Sequence, residues 1–358
     1  MKTKLVYVLT CEPEATYIEQ ALMSVWSARY WNPDAHIVLL TDNKTSALLH
    51  AGDARGEILQ YISEEVVTTF DEDKNMHYRS RWLKTKAREL VKGDMLFIDC
   101  DTICCKSLDS VDSFDCEVGA TGDNNVSFAN DIDRVNTIKT VEILNCNISE
   151  EEYYFSSGVL FSKDTPKTQE LYSKWHMYWI EGYNNHGIKA DQPALAKANI
   201  DCNHIISNFG NEYNNVLYTQ NITLRNSFIL HICSFNNSCL LFSNRVLKII
   251  NSIGLAKWIK EYIINIHHTY LPFDSQLKNS TFSERLDWLR EVSSFAKTYH
   301  NCVDKNFNDW HFNTRLSKIV KWLLCKNFYK SAIMVWMLSR LFTISNKKIK
   351  QNICSNEL

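Results

Sequence analysis

Short apolar runs and helix-spaced apolar positions alternate through the first 120 residues. LVYVLT (5–10) reads as a buried strand. Pro13 then opens a helix through Tyr30, with Ile18, Leu22, Val25 and Trp26 on one face. HIVLLTD (36–42) and EILQYI (57–62) read as a second and third strand. Residues 79–91 form a basic helical pattern, and MLFID (95–99) is a fourth strand. Strands that are apolar throughout and separated by helices predict a parallel sheet covered on both faces, with right-handed crossovers. The expected class is α/β, a Rossmann-like layer with a mostly parallel central sheet.

The pattern is less regular beyond that point. Residues 121–150 are polar, rich in Asn and Asp, and read as a long mobile loop. YYFSSGVLFSKD (153–164) reads as two short strands with Gly158 between them. Helices are expected at 165–182 and 190–199, and HIISNFG and SFILHICSF read as late strands. After about residue 243 the pattern turns helical, which divides the chain into a sheet-bearing domain over 1–240 and a helical C-terminal region over 241–358. The last 48 residues carry nine Lys/Arg and one acid, with aromatics interleaved. A basic amphipathic helix of this kind can lie on an anionic membrane surface, or pack on the domain with its charged face in water.

Composition narrows the classes. A chain of 358 residues with 45% hydrophobic content has ample material for a core. Net charge of −2 gives no overall attraction to nucleic acid. Twelve cysteines without a CxxC pair suggest neither a zinc ribbon nor a disulfide scaffold. Reduced thiols in a chain of this length point to the cytoplasm. No stretch reaches the roughly 20 uncharged residues that span a bilayer.

Candidate chemistry begins with paired carboxylates. Three DxD pairs occur: Asp71/Asp73, Asp99/Asp101 and Asp131/Asp133. Only the second follows an apolar strand, and open α/β sheets bind ligands beyond the carboxyl ends of their strands. Two carboxylates there repel each other unless a cation lies between them. Mn²⁺ and Mg²⁺ accept such hard oxygen ligands. Spacing alone leaves two readings open, a metal pair or a polar turn at a strand end. Haloacid-dehalogenase-like phosphohydrolases also place DxD after an apolar strand. Their pattern fits less well, because Ile103 stands where they have Thr or Val. The strand is also the fourth rather than the first, and no acidic GDxxxD follows.

The ordered set VYVLTCEP, MLFIDCDTICCKSLDSV, YFSSGVLFSK, ADQPALAKAN and LHICSF resembles the GT-A glycosyltransferases over about residues 4–235. The likeness is to the family-8-like retaining group that includes glycogenin and lipopolysaccharide galactosyltransferases. It implies a GT-A nucleotide-sugar-binding fold, a donor such as UDP-Glc or UDP-Gal, and Mn²⁺ (or Mg²⁺). It also implies transfer with retention to a glycan or lipid-linked glycan acceptor, in cell-surface polysaccharide or lipopolysaccharide synthesis. Such an enzyme would be cytoplasmic, peripheral on the inner face of the membrane where the basic C-terminal helices touch it. A non-catalytic nucleotide-sugar-binding protein of the same fold is the alternative. Pyrophosphorylases of related fold carry a Gly-rich signature after the first strand, which VLTCEPEAT lacks.

The resemblance also implies roles. Asp99, Asp101 and His231 would be metal ligands, with Asp99 also against the donor. The group's usual HxxGxxKPW is replaced here by HICSFNNSCL, without that Gly or Lys, so diphosphate charge must be met elsewhere. Arg81 and Lys84, before the DxD strand, would reach donor phosphates or sugar, or else form a solvated basic face. Lys86 and Arg88 read as solvated. Thr10, Cys11, Tyr17 and Asp42 would meet the base and ribose. Ser156, Ser157 and Gly158 match an (N/S)SG segment against the donor sugar, where glycine allows close approach. Asp191 and Gln192 match the catalytic DQ that opens a helix below that sugar. Asp191 also suits a plain N-cap, with Pro193 in the first turn. A carboxamide is a poor nucleophile, so front-face transfer is expected rather than a two-carboxylate double displacement.

Overall fold

The structure is a computed structural model that describes residues 1–216 and 227–231, apart from positions 14, 16, 53, 72, 73 and 132. The proposed helical region over 241–358, its basic tail and the domain boundary lie outside the described residues. Strand β1 (Lys4–Leu9) is followed by α1 (Tyr17–Trp31), β2 (Ile37–Asp42), α2 (Asn43–Leu49), β3 (Glu64–Thr68), α3 (Met76–Thr85), α4 (Ala87–Leu90) and β4 (Met95–Ile98). Next come β5 (Thr102–Cys104), β6 (Val118–Ala120), α5 (Arg134–Glu142), β7 (Val159–Ser162), α6 (Pro166–His186) and α7 (Gln192–Asp201). Strands β8 (Ile206–Asn208), β9 (Asn215–Val216) and β10 (Ile229–His231) complete the series.

Seven strands form one sheet in the order β3-β2-β1-β4-β7-β6-β8. Strands β1, β2, β3 and β4 are mutually parallel, as are β6 and β8, and only β7 runs against its neighbours. The chain leaves β1 toward β2 and β3, then returns to place β4 on the other side. The crevice beyond β1 and β4 is therefore a topological switch point, where open α/β sheets take their ligands.

Side chains alternate across the sheet. Val6, Val38, Phe97 and Leu160 pack with Trp175 and Trp179 of α6 and Leu195 of α7. Leu5, Tyr7 and Leu9 are buried on the opposite face, where Tyr7 lies against Ser24 of α1. Helix α6 starts on a Thr165 capping box with Pro166 in its first turn. It stops at Gly187, whose φ of 69° is the left-handed conformation that closes helices. It thus runs beyond the 182 expected from sequence.

Several expectations are corrected. EILQYI is not a strand; residues Ala54–Gln60 form a 3-10 helix that drives Ile58 into the core. The third strand is EEVVT, an edge strand carrying the charge typical of exposed sheet edges. Residues 121–150 are not featureless, since α5 and two 3-10 turns enclose a small core of Phe128, Val141, Ile148 and Tyr154. In 153–164 only Val159–Ser162 is a strand, while Phe155 makes an isolated bridge to Gly122. The basic helix begins earlier, capped by Asn75, and divides at Lys86 into α3 and α4. Arg88 is not solvated. It is fully buried, and its guanidinium donates to the carbonyls of Val91 and Gly93. Lys86, partly exposed, pairs with Glu89.

Candidate active site

The DxD turn joins the two sheets of the fold. Strand β4 ends in the large sheet at Ile98, and β5 starts a small sheet of order β5-β10-β9 at Thr102. Asp99, Cys100 and Asp101 are the link. Strand β10 runs antiparallel to β5 with His231 opposite Thr102, so the register delivers the imidazole beside Asp101. Its Nε2 lies 3.1 Å from Asp101 Oδ1. Ligand atoms of Asp99, Asp101 and His231 all fall within 4.8 Å of one another. Two carboxylate oxygens and an imidazole nitrogen are a donor set that Mn²⁺ or Mg²⁺ accepts. Among the described residues, Asp71, Asp131 and Asp133 join no such group.

Antiparallel β7 supplies the floor. Asp99 N donates to Gly158 O at 2.8 Å. A Cβ on Gly158 would lie 2.5 Å from His231 Cε1 and 3.2 Å from Asp99 Oδ2, so any larger residue would displace the ligand cluster. Ser156 and Ser157, just before it, are buried. The Ser157 hydroxyl donates to Asp191.

Helix α3 presents Arg81 and Lys84 to the same corner, within one turn of each other. Lys84, 3% exposed, places Nζ at 3.2 and 3.3 Å from the Asp99 oxygens and 3.6 Å from Asp191 Oδ2. Arg81 Nε is 3.0 Å from Asp191 Oδ1. Neither is a solvated basic face; both neutralise acids within the crevice. Burial pushes the Asp99 carboxyl above its usual range against the pull of Lys84, with Asp101 adding repulsion. Burial acts on Asp191 too, but Lys84 and Arg81 outweigh it and hold that carboxyl below the usual range. Asp191 opens α7 in the N-cap position, yet its side chain makes no cap bond. The N-cap reading of the side chain is thus corrected, since its oxygens turn to the cations instead. Trp175 Nε1 donates to the Asp191 carbonyl at 2.8 Å and fixes the turn.

The strand-end residues divide in their roles. Tyr17, half-buried, sits within the field of Asp101 and Arg81; burial and then Asp101 push its phenol up. Thr10 donates through Oγ1 to Met76 O at 3.1 Å, tying the end of β1 to the start of α3. The Cys11 thiol is turned to the Glu12 carbonyl. Asp42 is wholly buried and accepts from Thr45 N and from Arg79 Nε, both at 2.6 Å, so its carboxylate braces the strand end rather than facing a ligand. Beyond these strand ends a cavity of about 480 Å³ opens, lined in part by Glu12, Lys44, Asn75, His77, Tyr183 and Lys189.

Sequence reasoning missed Asp123. It follows β6 by three residues, beyond a strand end like the DxD pair, and that position is the signal it offered. Burial pushes its carboxyl up to about 6, while the Gln192 amide donates to it and favours the charged form. Gln192 is thereby tied to a residue from the supposed loop. An acid whose pKa is raised on folding contributes most below the ordinary carboxylate range, and that contribution is lost as pH rises through about 6. Asp123→Asn removes the penalty, so the variant is expected to gain on the order of 1–2 kcal/mol at neutral pH and nothing near pH ~4. Urea unfolding at both pH values measures this.

The seven described cysteines are all free thiols. Among the described residues no helix is long and apolar enough to cross a membrane.

No family model matches the chain, and no curated protein matches it. Solved structures do. Mouse xyloside xylosyltransferase 1 is similar at 10% identity over 64% of this chain and 97% of its own, with a TM-score of 0.44. The galactosyltransferase LgtC, in complex with donor and acceptor sugar analogues, is similar at 14% identity over 70% and 96%, with a TM-score of 0.47. The glycosyltransferase GlyE of Streptococcus pneumoniae TIGR4 is similar at 16% identity over 77% and 67%, with a TM-score of 0.44.

Proposed function

We propose that this chain is a metal-dependent, retaining glycosyltransferase of GT-A type that moves a hexosyl group from a nucleotide sugar to a glycan acceptor. The observation that carries the reading is the meeting of Asp99, Asp101 and His231 at the switch point, with Asp191 held by Lys84 and Arg81 beside them. An isolated DxD turn would need none of these partners.

Asp99, Asp101 and His231 are the residues that would hold Mn²⁺ or Mg²⁺. When bound, the ion supplies Lewis-acid stabilisation of charge on a departing diphosphate. The remaining steps belong to side chains. Asp191, kept ionised by its two cations, accepts hydrogen bonds from sugar hydroxyls. Gln192, oriented by Asp123, offers a polar but weakly nucleophilic group to the developing positive charge at the anomeric carbon. In front-face transfer the bond from that carbon to the phosphate oxygen breaks as the bond to the acceptor oxygen forms. The acceptor proton passes to the departing phosphate oxygen. Lys44 and Lys189, in the adjoining cavity, offer positive charge that the HICSFNNSCL segment lacks.

A donor panel led by UDP-Glc and UDP-Gal, with and without Mn²⁺ and scored for donor hydrolysis, tests the reading. Metal-dependent release of UDP from one donor is expected. Release of phosphate from monoesters without sugar release would favour a phosphohydrolase, and no turnover alongside tight UDP binding would favour a non-catalytic binder. Product NMR showing an inverted anomer would remove retention.

A further inference from the structure

We propose that Asn214 is a positioning residue that holds the His231 imidazole in the tautomer whose unprotonated Nε2 faces Asp101. The proposal rests on the metal-site reading above. Asn214 is fully buried immediately before β9. Its Oδ1 lies 2.9 Å from His231 Nδ1. Its Nδ2 lies 3.2 Å from Thr121 Oγ1 and 3.1 Å from Ser156 Oγ. Ser156 Oγ also accepts from Gly158 N at 3.3 Å. In this orientation the amide nitrogen donates to the two hydroxyls, and the carbonyl oxygen faces the imidazole.

An amide oxygen can only accept. Nδ1 must then carry a proton, so in the neutral ring it is Nε2 that presents its lone pair 3.1 Å from Asp101 Oδ1. In that form two acceptors face each other, an arrangement that a cation between them relieves, as a proton on Nε2 does in its absence. Imidazoles that bind metals commonly donate their other N–H to a fixed oxygen, which sets both tautomer and ring orientation. Asn214 is itself fixed through the main chain. Its carbonyl accepts from Asn125 Nδ2 at 2.8 Å, and Asn125 Oδ1 accepts from Val216 N at 2.7 Å. Asn125 holds this pose with a φ of 55°, in the left-handed region. The segment after β6, the SSG segment and β10 thus meet on one carboxamide.

The test is Mn²⁺ binding to the full chain, followed by electron paramagnetic resonance. Asn214→Leu is expected to raise the Kd by about 10–100-fold, the usual range for losing such a partner. Asn214→Asp, which keeps an acceptor, should stay within about threefold of wild type. On a His231→Ala background, Asn214→Leu should cost nothing further, whereas a merely structural role would still show. Independently, ¹⁵N NMR of the metal-free wild type above the imidazole titration range should place the His231 proton on Nδ1. Wild-type Mn²⁺ affinity in Asn214→Leu, equal losses in the Leu and Asp variants, or a proton on Nε2 would each overturn the proposal. Should the Leu variant not fold, the Asp variant and the wild-type spectrum decide. Absence of Mn²⁺ binding by the wild type would defeat the metal-site reading, and the spectrum would still decide the role of Asn214.

Discussion

Asp101→Asn is expected to lower sugar transfer by about three orders of magnitude, because a bound cation stabilises a departing diphosphate by several kcal/mol. The substitution keeps the side chain's shape and removes one charge from the ligand set. It also changes the partner of His231 Nε2, 3.1 Å away. Mn²⁺ affinity should fall with activity, and the loss should lie in kcat as much as in KM, since the charge to be stabilised develops during bond cleavage. Steady-state release of nucleotide against Mn²⁺ concentration measures both. The Asp101 side chain is only 16% exposed, so a thermal melt must accompany the assay to separate lost chemistry from lost fold. Full activity in this variant would contradict the metal assignment outright.

Lys84→Met is expected to destabilise the fold by about 3–5 kcal/mol near neutral pH, the usual cost of breaking a buried pair. Lys84 lies between Asp99 and Asp191, and methionine leaves those carboxylates without their shared cation. The apolar stem loses little, since methionine can still pack on Phe97, over whose ring Lys84 Nζ sits at 4.9 Å. With the cation gone, both acids take up protons more readily in the folded state. The deficit should therefore shrink as pH falls toward about 4 and grow as it rises. Urea unfolding followed by tryptophan fluorescence across that interval measures it. A deficit independent of pH would mean that packing, not charge, is what Lys84 provides.

The legible parts of the fold were those where burial writes itself into the sequence. LVYVLT, HIVLLTD and MLFID lie inside the sheet with neighbours on both sides, so their cores VYVL, IVLL and MLFI are apolar throughout. EEVVT was hidden because an edge strand needs little apolar content, while EILQYI drew the strand reading with apolar residues of which a 3-10 turn sends only Ile58 into the core. Residues 121–150 concealed three of the four members of a satellite core, because Phe128, Val141, Ile148 and Tyr154 are spread over almost thirty positions with polar residues between them.

The same contrast holds at the candidate site. Asp99, Asp101 and Asp191 announce themselves locally, through a strand end or a helix start. Arg79 does not: its pairing with Asp42 links α3 to β2, and nothing in NMHYRSRW separates it from Arg81. Asn214 is hidden further still. Its meaning depends on His231, Ser156 and Thr121, which only the assembled sheets bring within reach.

The antiparallel ladder between β5 and β10 carries a further consequence. Asp101 and His231 are 130 positions apart, and every strand of the large sheet precedes β10 in the chain. Closing so long a loop is slow compared with local pairing. During synthesis the ribosome releases the whole seven-stranded platform before the imidazole emerges. On the proposed metal-site reading, all three groups can hold an ion together only after His231 has emerged, so shorter nascent chains would bind it weakly.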